Sequence, residues 1–255
     1  GNGWQWQPRN QYHVKAGARG LTWSKKQPST QDDYRFQNHL DTVRQPYVSH
    51  ETGQWCAFPN FNEIRKYTGV NKAKNFEIFK DILADNHMSD QAHLFMMASG
   101  KLQALCYKYE IEKTLRTPDY AGFQLLALND YSGQGTALVG VLDVFFEEKG
   151  YINSAEWRRF CSPTVPLMRT DKFVYNNKEI LKADGAEALK QAEIVYTLKD
   201  EYGKVYAQGT LATQDIPVGN LNRTGSLEFP LTDIQEAKKL NLEIRITGTE
   251  AVNDW

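Results

Sequence analysis

The chain has 255 residues, enough for one large domain or two of ordinary size with a sizeable core. Its 30 Lys and Arg stand against 31 Asp and Glu, a net charge of −1, so no net field draws it toward nucleic acid or an anionic membrane. No apolar run approaches the roughly 18 residues that cross a bilayer, and the opening GNGWQWQPRNQ has no signal-peptide core.

The first residue is not Met, which leaves room for an export signal upstream of Gly1 and for a periplasmic or secreted parent protein. Six Trp, thirteen Tyr and twelve Phe bring the aromatic share to 12%, which fits a large aromatic core or a surface that stacks on flat ligands. Cys56, Cys106 and Cys161 are far apart and odd in number, with no pair at a metal-ligand spacing, and read as buried thiols.

The first 45 residues are polar, rich in Gln, Asn and Arg, and without a sustained period, which predicts long loop of the kind that lines a site. Next, Gln45-Pro46-Tyr47-Val48-Ser49-His50-Glu51 reads as a short strand that ends in ionisable groups. From Asn62 the pattern turns helical. Phe76, Phe79, Ile82 and Leu83 recur at spacings of three and four, and Ser89 caps a second run. That run places Leu94, Ala98, Leu102, Leu105 and Tyr109 on one stripe and continues to about Thr117, where Pro118 stops it. Residues 121–128 (AGFQLLAL) form an almost continuous apolar run that ends at Asn129-Asp130. Continuous hydrophobicity predicts a strand covered on both faces, as in a parallel sheet wrapped by helices. In such folds ligands bind at the carboxyl ends of the strands, where Glu51 and Asp130 fall.

After Pro163 the period changes. Lys172 to Tyr175, Glu193 to Leu198, Val205 to Thr210, Leu227 to Phe229 and Leu242 to Ile246 read as short strands. Turns at Asn176-Asn177, Glu201 to Lys204 and Asn222 to Gly225 separate them. This predicts a small all-β module, a sandwich of the immunoglobulin type, with domains of 1–163 and 164–255. The Lys182 to Ala186 stretch is short where a strand is expected, as if a segment were missing there. The α/β part has too few strands to close on itself, since a (β/α)8 barrel needs eight.

The segments PYVSHETGQWCAFPNFNEI, KNFEIF, ASGKLQALCYKYEIE, AGFQLLALNDYSGQGTALVGVLD and WRRFCSPTVPL together resemble the last two barrel strands of large bacterial glycoside hydrolases of family 2. The likeness is to the multidomain β-galactosidase-like proteins common in gut Bacteroidetes. The β-module, ending GTEAVNDW, resembles the immunoglobulin-like domain after their barrel. The resemblance implies a fold of two parts, the C-terminal portion of a (β/α)8 TIM barrel and an immunoglobulin-like β-sandwich. It implies a retaining β-glycosidase acting on oligo- or polysaccharides, with no metal or organic cofactor. Val48-Ser49-His50-Glu51-Thr52-Gly53 matches the family's nucleophile context with one residue, His50, between Ser and Glu, and makes Glu51 the expected nucleophile. His50 is expected to help hold it.

The family's acid/base Glu follows an Asn at the end of the fourth strand. The one Asn-Glu here, Asn62-Glu63, comes after Glu51 at a helix start, so the acid/base is expected to lie outside this chain. Retaining hydrolysis needs two carboxyl groups about 5–5.5 Å apart, and the fragment alone is therefore expected to be inactive. Its expected partners are a carbohydrate and a missing N-terminal part of the parent. An open barrel edge predicts association of the fragment. A non-catalytic carbohydrate-binding or scaffolding module is the alternative.

The remaining signals each carry two readings. Asn129 and Asp130 are a cap and turn, or hydroxyl-binding groups of a sugar site. Trp55, Trp4 and Trp6 are packing residues or sugar-stacking platforms, with Trp55 the better placed. His50-Glu51 resembles the opening of a zinc-protease helix, but Gln54 stands where the second His belongs and the segment reads as strand. Gly133-Gln134-Gly135 lacks the rest of a phosphate loop and reads as a turn. Met96-Met97 reads as core.

Overall fold

The computed structural model describes residues 29–31, 47–118, 120–132, 135, 138–186, 192–215, 217, 219 and 222–255; the side chains of 47, 50, 185, 186 and 212–214 are outside the description. The expectations for Trp4, Trp6, Gly133, Gln134 and nearly all of the polar opening lie outside the described residues. The chain forms two compact units, one of Gly1–Val48, Ile111–Gly122 and Arg158–Trp255, the other of Ser49–Glu110 and Phe123–Trp157.

The first unit is a two-sheet β-sandwich. β3 (Leu167–Arg169), β4 (Ile180–Ala186) and β7 (Arg223–Pro230) form one sheet in the order β3-β4-β7. β5 (Ala192–Asp200), β6 (Val205–Gln214), β8 (Leu240–Ile246) and β9 (Val252–Asp254) form the other, in the order β6-β5-β8-β9. All neighbours are antiparallel. Period-two alternation turns Ile194 and Leu198 of β5, Leu242, Ile244 and Ile246 of β8, and Leu227 and Phe229 of β7 into one core with Met168 and Ala183. Register places Ile194 opposite Ile246 and Leu198 opposite Leu242, so both strands bury the same face. Each such side chain contributes about 1.5–3 kcal/mol on burial.

The β5–β6 turn forms where expected. Gly203 takes φ +85, and the Asp200 carboxylate accepts from the backbone N–H groups of Tyr202 (3.0 Å) and Lys204 (2.9 Å). Two expectations fail. Lys172 to Tyr175 is irregular rather than a strand, because Phe173 and Val174 face solvent and the segment is tied locally. There Tyr175 Oη lies 2.6 Å from Thr170 Oγ1, and Glu179 accepts from Asn176 N. Lys182 to Ala186 is not short of a strand: it belongs to β4, paired along its length with β7.

One buried polar group organises the end of the sandwich. Glu112 accepts from Asn253 Nδ2 (2.8 Å), Trp255 Nε1 (3.0 Å) and Arg116 Nη1 (3.1 Å), and Asn253 also donates to Pro166 O at 2.8 Å. Glu112, Arg116 and Asn253 are buried, so each hydrogen bond offsets a desolvation cost.

The second unit takes in the end of β1 (Tyr47–Thr52), a 3-10 helix at Phe61–Lys66, α1 (Lys74–Asp85), most of α2 (Ala92–Leu115), part of β2 (Tyr120–Leu125) and most of the short α3 (Ser154–Arg158). β1 and β2 form a two-stranded sheet. Phe58 is the hub of an edge-to-face aromatic cluster, with ring centroids 5.7 Å from Phe61, 6.0 Å from Phe79 and 5.7 Å from Phe95. Phe76 packs with Ala73 and Leu138, while Ile82 of the predicted α1 stripe faces solvent.

The sequence pattern misplaces the inner face of α2. Leu94, Leu102 and Leu105 are 64%, 56% and 63% exposed, and the buried face instead carries Met96, Gln103, Tyr107 and Glu110. Apolar residues lie on nearly every side of this helix, so their period does not choose a face. Polar side chains with backbone partners do. β2 is likewise less covered than a continuous apolar run suggests: Tyr120 is its one buried residue, and Leu128 beyond it is exposed. Of the cysteines, Cys106 is buried, Cys161 is partly covered and Cys56 is exposed, contrary to the reading of all three as buried.

Candidate functional site

β1 ends in an unusual backbone. Glu51 has φ +54 and Gly53 φ +80, both in the left-handed region. Gly53 adopts it freely, whereas a Glu held there costs on the order of 1–3 kcal/mol and persists only where its surroundings impose it. Glu51 is half-buried, and its carboxylate accepts from Gln54 Nε2 at 3.2 Å. Thr52, buried beside it, donates its hydroxyl to Ser49 Oγ at 2.9 Å, and its carbonyl accepts from Leu126 N at 3.1 Å.

The loop after Glu51 is gripped from α2. Tyr107 Oη donates to Val139 O at 2.7 Å and lies 3.1 Å from Gly53 O. Gln103 Nε2 donates to Trp55 O at 2.7 Å and Leu138 O at 3.1 Å. Tyr151 donates to Gln103 Oε1, and Ala57 N donates to Leu138 O at 3.0 Å. The contact is close: a Cβ on Gly53 would lie 1.9 Å from the Tyr107 ring. Burial pushes the pKa of both phenols well above the ordinary tyrosine range, so both remain donors.

The segment following β2 forms the other half. Asn129 is half-buried, with its side-chain amide donating to Asp130 O at 3.0 Å and its backbone bridged to Leu142. Asp130 is fully buried. Its Oδ1 accepts from Gly140 N at 2.9 Å, and its Oδ2 pairs with Lys149 Nζ at 2.5 Å, while Lys149 also donates to Gly140 O at 2.7 Å. Desolvation raises the Asp130 carboxyl, and Lys149 is the main opposing influence. Gly140 is required here, since a Cβ would come 2.2 Å from the Asn129 backbone carbonyl carbon.

A charge cluster in the same unit has no clear signature in the sequence. Glu63, 1% exposed, is pushed up to about 7 by burial first and by Asp143 second. Lys66 pairs with Asp143 at 2.6 Å and Glu147 at 2.7 Å, and the Asp143 carboxylate accepts from Phe145 N and Glu147 N. A carboxyl near 7 has the strength of a general acid, but one sealed from solvent has no route to a glycosidic oxygen. Among the described residues, no group of three or more His, Cys, Asp or Glu is arranged to hold a metal ion.

Of the expected site residues, Glu51, Trp55, Asn129 and Asp130 all belong to this unit, and the side chain of His50 lies outside the description. Trp55 is half-buried. Gln103, Tyr107, Gly140, Lys149 and Tyr151 support the arrangement and were missed from sequence, because their partners are backbone atoms that leave no motif.

Residues 183–255 match a family described as a domain of unknown function (DUF8488). No curated protein matches the chain. Among solved structures, the β-D-mannosidase of Dictyoglomus thermophilum aligns at 15% identity and a TM-score of 0.48, over 92% of this chain and 29% of that one. A calcium-binding mutant of Bacteroides uniformis beta-glucuronidase 2 aligns at 12% identity and a TM-score of 0.28, over 87% of this chain and 22% of that one. The chain thus spans less than a third of the length of either, and at these TM-scores the overlays carry no site residue across.

Proposed function

We propose that this chain is the C-terminal part of a retaining β-glycosidase acting on oligo- or polysaccharides, with Glu51 as the nucleophile. The observation that carries the proposal is the Glu51 backbone, a bulky acidic residue at a strand end held in a left-handed conformation by a clamped loop. Strain of that kind gathers at functional sites. The resemblance of Val48 to Gly53 to a family-2 nucleophile context points the same way. On this reading the segment up to about 163 is the last portion of a (β/α)8 barrel completed by a longer protein. The sandwich order β3-β4-β7 and β6-β5-β8-β9 supports an immunoglobulin-like domain after it.

In the reaction a Glu51 oxygen forms a bond to the anomeric carbon as the bond to the leaving oxygen breaks, with that oxygen protonated by an acid from outside this chain. Trp55 and Asn129 line the sugar site, and Asp130 supports it through the buried pair with Lys149. No cofactor takes part. Without the acid, ordinary glycosides leave poorly, since positioned proton transfer is typically worth about 10²–10⁴-fold.

A donor whose leaving group needs no proton isolates Glu51. Treating the chain with 2-deoxy-2-fluoroglycosyl fluorides of the gluco, galacto and manno series releases fluoride and leaves a glycosyl ester. Peptide mass mapping is expected to find that ester on Glu51 and to find none in Glu51→Gln. Labelling elsewhere, or none from any donor, overturns the proposal. Oligosaccharide binding without labelling supports a non-catalytic carbohydrate-binding module instead.

A further inference from the structure

We infer that Tyr107 and Gln103 are positioning residues that hold Glu51 in its strained conformation; the inference rests on the reading of Glu51 as a nucleophile. The two sit one helical turn apart on the buried face of α2, and both side chains reach out of the helix to loop carbonyls. Each spans the same two segments. Tyr107 reaches Gly53 O and Val139 O, and Gln103 reaches Trp55 O and Leu138 O. The Glu51 loop is therefore tied to a single strip of chain by the Gln103 amide at Trp55 O, four residues beyond the carboxylate, and by Tyr107, whose one hydroxyl proton is shared between Val139 O and Gly53 O.

That strip is itself immobilised. Gly140, next to Val139, has its N–H on Asp130 and its carbonyl on Lys149, and Tyr151 Oη lies 3.3 Å from the same carbonyl. Tyr151 also donates to Gln103 Oε1, which fixes the amide with its NH2 group toward the carbonyls. The result is a continuous line of hydrogen bonds from the buried Asp130–Lys149 pair, through Gly140 and the α2 side chains, to the loop behind Glu51. Every polar side chain along it is buried, so each bond is made in a low-dielectric setting where leaving it unmade is costly.

Packing alone has no need of this chemistry. Phenylalanine and leucine fill the same space, and neither grips a carbonyl. The clamp also gives Gly53 its reason: the Tyr107 ring occupies the place of a Cβ, so the loop crosses the helix at backbone distance. A nucleophile must lie in line with the bond that breaks, and a misplacement of about 1 Å can cost on the order of 100-fold in rate.

The test uses Tyr107→Phe, which deletes only the hydroxyl, and Gln103→Glu, which keeps the shape but removes the donor. Two readouts separate the clamp from the proposed chemistry. Amide hydrogen exchange across residues 51–55 needs no sugar. In both variants it is expected to run about fivefold to tenfold faster, the equivalent of one net hydrogen bond, while the β5 and β8 amides stay unchanged. The second readout is the labelling rate of Glu51 by a 2-deoxy-2-fluoroglycosyl fluoride, expected to fall about tenfold or more with half-saturation unchanged. Unaltered exchange at 51–55, or equal acceleration throughout the protein, overturns the positioning role. Faster exchange at 51–55 with an undiminished labelling rate overturns its link to Glu51. A wild-type protein that takes no label refutes the nucleophile assignment, and with it the positioning role, whatever the exchange shows.

Discussion

Replacing Glu63 with glutamine removes a carboxyl that the fold keeps out of water. Its Oε2 is buried with no hydrogen-bond partner among the described residues, and Asp143, Lys149, Asp130 and Lys66 supply the surrounding charge; the Tyr67 phenol is raised by burial first and by Glu63 second. The folded state raises this group from 4.5 to about 7. Between those values the folded protein keeps a proton that the unfolded chain has released, so stability falls as pH rises through the window and reaches a lower plateau above about 7. A tenfold change in acidity corresponds to about 1.4 kcal/mol, which gives a penalty on the order of 3 kcal/mol at pH 8. Glutamine keeps the shape and never ionises. Glu63→Gln is expected to match the wild type near pH 4.5 and to exceed it at pH 8 by on the order of 2–3 kcal/mol, or about 5–10 °C in Tm. Urea melts of both proteins from pH 4.5 to 8.5, followed by tryptophan fluorescence, measure the difference. A pH-independent difference, or a variant less stable at pH 8, refutes the reasoning.

Close packing and buried charge make further outcomes specific. Gly53→Ala forces a Cβ to within 1.9 Å of the Tyr107 ring in a left-handed backbone, and is expected to destabilise by roughly 2–4 kcal/mol in a denaturant melt. Glu112→Ala removes the buried carboxylate that Arg116, Asn253 and Trp255 share, at an expected cost of roughly 3–5 kcal/mol by the same assay. The exposed Leu94, Leu102 and Leu105 of α2 and Ile78 and Ile82 of α1 predict concentration-dependent association, checked by light scattering; a monodisperse monomer counts against the incomplete barrel.

Legibility in the sequence tracks how strongly solvent divides one face of an element from the other. β5 and β8 sit inside a two-sheet sandwich and show their alternation plainly. β4 hides because Ala183 is its one fully buried side chain among those described, and Lys182 and Asp184 read as loop. β3 and β9, three residues each, are too short to show a period. Phe173 and Val174 gave a false strand, since apolar residues at the surface carry the same letter as those in the core. Glu51 stood out as an acid ending a strand. The supports of its loop did not, because Gln103 and Tyr107 act on carbonyl oxygens that every residue possesses.

Central to the proposed reaction is a Glu51 oxygen that reaches the anomeric carbon of a bound sugar. Chemical rescue tests it most directly. Glu51→Ala, given a 2,4-dinitrophenyl β-glycoside of the series that labels the wild type, opens space under that carbon for a small anion. Added azide is expected to restore dinitrophenolate release and to yield an α-glycosyl azide, of inverted configuration. If azide leaves the rate unchanged, or the product retains the β configuration, Glu51 is not the nucleophile.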